Sequence, residues 1–157
     1  MLKIGHPRRS SMFKVLLLAA CLGAVAWSSS AFADGSSQPY GGGGPYYPTF
    51  NSVIRQYNRS GELFRIEGHC QSNCTTFLSI RNVCVDADAT LLFHANQSPR
   101  ERNQPPAPKK NQSMLSHYNA RLRNFVVANH YMDSFEFHSI SGRDIIQRFG
   151  YRQCPRR

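Results

Sequence analysis

The residues whose types could do covalent chemistry lie in the run Gly68-His69-Cys70-Gln71-Ser72-Asn73-Cys74-Thr75 and at His94, which closes the apolar run Leu91-Leu92-Phe93. A serine hydroxyl is a weak nucleophile until a base within hydrogen-bond reach takes its proton, and histidine suits that task near neutral pH. Ser72 as nucleophile and His94 as base would attack a carbonyl and transfer an acyl group. The same residues also fit a corner without chemistry. A serine at a strand-to-helix turn is commonly an N-cap, and a histidine at a strand end is commonly structural. Cys70 and Cys74 read as half-cystines, because oxidation removes the reactive thiolate.

Particular elements must hold these residues. Leu63-Phe64-Arg65-Ile66-Glu67 alternates apolar and polar like a strand with one face inward, Gly68 ends it, and a helical run covers Asn73 to Ile80. Ser72 then opens a helix, where unpaired backbone N–H groups can hold a developing oxyanion. Val83-Cys84-Val85 and Thr90 to Phe93 read as two more strands, joined by a turn over Asp86 to Ala89. Strands flanking a helix imply a right-handed crossover, and so an α/β fold with a mostly parallel sheet.

The rest of the chain supports this frame. Phe50, Val53, Ile54 and Tyr57 stand at helical spacing ahead of a stop at Asn58 to Gly61. Asp34 to Pro48 is rich in Gly, Ser, Pro and Tyr and reads as flexible or loop-like, and Ala95 to Ser113, with four prolines, as a surface excursion. A longer helix is expected from Ser113 to His130, then an irregular stretch over Tyr131 to Ser139. Ser141 is the expected N-cap of a last helix bearing Ile145, Ile146 and Phe149 and ended by Gly150.

Residues 1–33 read as a secretory leader, with Lys3, Arg8, Arg9 and Lys14 at its start, an apolar run from Val15 to Trp27, and Ala31-Phe32-Ala33 as cleavage site. The apolar run is shorter than the roughly 20 residues a bilayer needs, which argues against a transmembrane anchor. A lipoprotein signal at Cys21 ranks below ordinary cleavage. The expected destination is the periplasm or the exterior, with 34–48 as the flexible segment and 49–157 as one domain. The four cysteines beyond the leader, Cys70, Cys74, Cys84 and Cys154, imply two disulfides. Helix-to-strand proximity suggests Cys74 with Cys84 and Cys70 with Cys154. The chain is basic, formal net charge +10, but its arginines are scattered, which is more often a solvated surface than a nucleic-acid interface. His69, His94, His117, His130 and His138 form no compact metal-ligand motif, and no cofactor is expected.

Gly68 to Thr75 followed by Ala89-Thr90-Leu91-Leu92-Phe93-His94 resembles small exported bacterial proteins with a Gly-x-Cys-x-Ser-Ala-Cys-Thr signature and a later Leu-Gly-Phe-His. Those in turn resemble the Clp-protease/crotonase superfold. The resemblance implies a disulfide-stapled, truncated α/β domain of that type. It also implies a serine hydrolase acting on peptide or acyl bonds, with Ser72 as nucleophile, His94 as base, Asn73 as one oxyanion donor and Gly44, of the Gly43-Gly44 pair, as the second. Asn73 stands where alanine is usual, and Leu92 where glycine is. The acid that would orient the histidine aligns with Phe137 or His138, with Asp133 and Glu136 close by. The competing expectations are a non-catalytic binding or envelope-interaction module of the same fold, and a basic nuclease using His94. Substrate and self-association stay open.

Overall fold

The computed structural model describes residues 34–96, 106 and 108–157. Residues 1–33, read as a leader and containing Cys21, and residues 97–105 and 107 of the proline-rich excursion lie outside the described residues.

Among the described residues, six short strands make two three-stranded sheets, where one mostly parallel sheet was expected. In the first, β1 (Gly35–Ser36), β2 (Phe64–Ile66) and β4 (Val83–Val85) are all parallel, in the order β1-β2-β4. In the second, β3 (His69–Gln71) is parallel to β5 (Thr90–Phe93), which pairs antiparallel with β6 (His138–Ser141). Gly68 is the reason for the division. Its φ of +63° turns the chain between β2 and β3, so the extended run continues into a second sheet instead of passing straight into a helix. The turn Asp86 to Ala89 makes the same transfer from β4 to β5, closed by the Ala89 N–H on the Asp86 carbonyl at 3.0 Å.

α1 (Asn51–Ser60) stops at Gly61, whose left-handed φ of +73° lets its N–H reach the Tyr57 carbonyl. The helical run after Ser72 is a 3-10 helix, Ser72–Ser79. Its own side chains explain the tighter winding: the hydroxyls of Thr75, Thr76 and Ser79 each donate to the carbonyl three residues back, at 2.6–2.8 Å. Phe77 carries this helix into the core, with ring centroids 4.7 Å from Phe64 and 5.2 Å from Phe50. Leu91, Phe93, Leu122, Val126 and Ile145 complete the buried centre beneath the second sheet.

Other expectations change in detail. The segment read as flexible contributes β1 and a fully buried Ser37, whose hydroxyl accepts from the Glu67 N–H and donates to the Glu67 carbonyl. The single helix expected over Ser113 to His130 is two, α2 (Pro108–Leu115) and α3 (Ala120–Ala128), because Asn119 caps α3 by accepting from the Leu122 N–H. The stretch read as irregular ends in β6. Ser141 caps α4 (Gly142–Gln147) as expected, accepting from the Asp144 N–H at 3.1 Å.

The disulfides join Cys70 to Cys74 and Cys84 to Cys154, which corrects the suggested pairing. Cys74 lies on the first turn of the 3-10 helix, close enough to the strand it follows to close on Cys70. The chain end runs beside β4, with Val85 N–H on the Arg152 carbonyl and Cys154 N–H on the Val85 carbonyl, and this brings Cys154 to Cys84.

Candidate active site

Gln71 is still extended, at φ −107° and ψ 155°, while Ser72 already begins the 3-10 helix. The reversal falls on Ser72, whose φ of +53° is in the left-handed region that a serine occupies only under constraint. Its carbonyl accepts the Thr75 hydroxyl at 2.7 Å, and that hydroxyl meets the buried Tyr118 hydroxyl at 2.6 Å. The Ser72 hydroxyl has no hydrogen-bond partner among the described residues, so it does not serve as the N-cap of its own helix. Asn73, second in the helix, has its backbone N–H among the unpaired donors of a helix start.

The Gly41 to Gly44 stretch lies against this turn. Gln71 N–H donates to the Gly41 carbonyl at 2.9 Å, the Gln71 side-chain amide to Gly42 at 2.7 Å, and the Asn73 side-chain amide to Gly44 at 2.5 Å. Gly43, at φ +71°, needs to be glycine: a Cβ there would lie 3.0 Å from the Gln71 carbonyl oxygen and 3.1 Å from Ser72 Cβ. The Gly44 N–H bonds no group among the described residues, and a Cβ on Gly44 would meet nothing within 4 Å. The glycine pair, the serine and the helix start are therefore together, with open space on the Gly44 side.

His94 follows directly on β5. The β3–β5 register ends with Gln71 beside Leu92, two residues before His94, because the chain leaves the strand at Ser72. The His94 ring is buried, and neither Nδ1 nor Nε2 has a hydrogen-bond partner. The Ser72–His94 hydrogen bond is thus not formed in this structure. The β5–β6 register, Phe93 beside His138, continues to Phe137 opposite His94, and the Phe137 ring meets the imidazole edge-on at 4.6 Å. Burial pushes the His94 pKa below the ordinary histidine value and favours the neutral ring.

Phe137, one of the two residues that align with the expected orienting acid, covers the His94 ring and carries no carboxylate. Asp133 is engaged elsewhere, 2.7 Å from His130 Nδ1, and His138 stacks on Tyr131 at 4.4 Å. Gln71 and Asn73 as tethers of the glycine segment were not singled out from the sequence, which placed Asn73 only through its backbone. Phe137 was aligned, but its contact with His94 follows only from β6. Ile140 between Ser139 and Ser141 was the available signal for that strand, since it is the one residue the strand buries. Among the described residues, no group of three or more His, Cys, Asp or Glu side chains converges as a metal site would. No family model, curated protein or solved structure matches the chain.

Proposed function

We propose that the protein is an exported, serine-hydrolase-like domain of the Clp/crotonase type that acts on peptide or acyl bonds. The observation that carries the reading is the unbonded Ser72 hydroxyl on a left-handed turn at a helix start, against Gly43 and Gly44. In the first step Ser72 Oγ attacks the carbonyl carbon while His94 takes its proton. The backbone N–H groups of Asn73 and Gly44 hold the oxyanion, and His94 returns the proton to the leaving group. Water then attacks the acyl-serine by the same route. On this reading His94 has to move out of its buried position to bond Ser72, and with Phe137 beside it no carboxylate assists, so turnover is slow compared with a full triad. Export is supported by the leader-like residues 1–33 and by the two disulfides, which suit an oxidising compartment.

One observation favours a second reading. A buried imidazole with both nitrogens unbonded, covered by phenylalanine, supports a non-catalytic binding or envelope-interaction module of the same fold that keeps the Ser72 turn for packing.

A fluorophosphonate probe separates the two. The hydrolase reading expects phosphonylation mapped to Ser72, absent in Ser72→Ala and slowed about a hundredfold or more in His94→Ala, the usual contribution of a general base. A wild-type protein that is folded and unlabelled would leave the binding module.

A further inference from the structure

We propose that the Cys70–Cys74 disulfide is a positioning clamp for Ser72: it closes the loop Gln71-Ser72-Asn73 and so holds the serine in the left-handed conformation that faces it to the glycine segment. Its catalytic consequence rests on Ser72 being the nucleophile; its conformational part does not.

The geometry demands a sharp reversal inside this loop. Cys70 is a strand residue in register with Leu91, and Gln71 is in register with Leu92 and still extended. Four extended steps would carry the chain about 13 Å. The Cα atoms of Cys70 and Cys74 are 5.2 Å apart. With Gln71 fixed by its ladder and Cys74 already in the helix, the reversal falls on Ser72, and a non-glycine residue keeps φ +53° only where its surroundings over-determine it. The serine hydroxyl contributes no local bond that would favour this conformation. Both cysteines are fully buried, which removes them from reductants and makes the bridge a fixed clamp, not a switch. A bridge across so short a loop restrains the unfolded chain about half as much as one closing a long loop, and its constraint on the folded chain falls on the three residues it encloses.

The rival cause of the same conformation is the set of side-chain bonds from Gln71, Asn73 and Thr75, which would hold Ser72 without the disulfide. A thermodynamic cycle decides between them. Thermal midpoints are measured without reductant for the wild type, Ser72→Gly, C70A/C74A and the triple variant, Cys84–Cys154 being intact in all. Glycine relieves the left-handed strain but loosens the unfolded chain; the second effect is common to both backgrounds and cancels. With the clamp, Ser72→Gly is more favourable in the disulfide-bonded background, by about 3 °C or more. Equal effects in the two backgrounds would overturn the proposal. If C70A/C74A does not fold, C70V/C74A, which keeps more of the apolar volume, takes its place. Failure of both while C84A/C154A folds would also overturn it, since the short bridge would then be a global staple. In parallel, fluorophosphonate labelling of Ser72 falls about tenfold or more in the folded C70A/C74A protein. An unlabelled wild type removes the nucleophile reading and leaves the midpoints to decide the clamp.

Discussion

An imidazole buried with neither nitrogen bonded costs on the order of 1–3 kcal/mol, and at His94 nothing among the described residues offsets this loss. Phe137 covers the ring yet is itself 49% exposed, so it can be removed without opening the core. Phe137→Ala is expected to admit water to His94 and raise its pKa toward the ordinary histidine value, read by NMR titration of the ring, with stability changed by about 1 kcal/mol or less. An unmoved pKa would show that other groups keep the ring dry. The same burial fixes the sign of a pH effect. His94 and His117 both have pKa values lowered by desolvation, so the folded protein holds them neutral where the unfolded chain already takes up protons. Their contribution is fully present above the unfolded-state value and is lost as pH falls through the lowered folded-state values. Urea midpoints should therefore drop between pH 7 and pH 5, and drop less in His94→Asn and in His117→Asn. A wild-type midpoint that is flat over this range would contradict the burial of both rings.

At the scale of elements, the serine is placed by two segments distant in sequence, the β3-to-helix turn and the glycine stretch, and the close approach between them is at Gly43. Gly43→Ala must accept a left-handed φ, which costs about 1–2 kcal/mol, and must also push its methyl against Gln71 and Ser72. It is expected to lower stability by that amount in urea and to slow labelling of Ser72. Gly42→Ala, with an ordinary φ and nothing within 4 Å of its Cβ, should stay within about 0.5 kcal/mol of wild type. The elements also show what a sequence carries. β4 and β5 were readable to the residue, because apolar runs bounded by Asn82 and by the Asp86-to-Ala89 turn leave little choice of register. The 3-10 helix was readable as helical but not in its winding, since that depends on which carbonyls the Thr75, Thr76 and Ser79 hydroxyls choose. β6 was missed because much of its ordering comes from pairing with β5, a long-range contact that a local pattern only hints at. The site divides in the same way. Serine, histidine, glycine pair and helix start were legible as types at a spacing, whereas the orientation of His94 and the Gln71 and Asn73 tethers depend on contacts between segments.

Across the whole molecule, the two disulfides do different work because they close loops of different length. In the chain-entropy description, a bridge with sequence separation 70 stabilises by about 4 kcal/mol and one with separation 4 by about 2 kcal/mol. Cys84–Cys154 also fastens the chain end along β4, and Arg65 in β2, 4% exposed, reinforces that attachment by donating to the Pro155 carbonyl at 3.0 Å while pairing with Asp86 at 3.0 Å and Asp34 at 3.5 Å. C84A/C154A is accordingly expected to lose about 4 kcal/mol in urea unfolding, and C70A/C74A about half of that. Equal losses would mean that strain or residual structure outweighs loop closure. Together the two bridges supply a stabilisation comparable with the whole margin of an ordinary domain, about 5–15 kcal/mol, and this ties the fold to its surroundings. A chain made in a reducing compartment lacks both bridges. It should unfold at a markedly lower urea concentration than the oxidised protein and regain its midpoint on air oxidation, with Cys84–Cys154 accounting for most of the recovery.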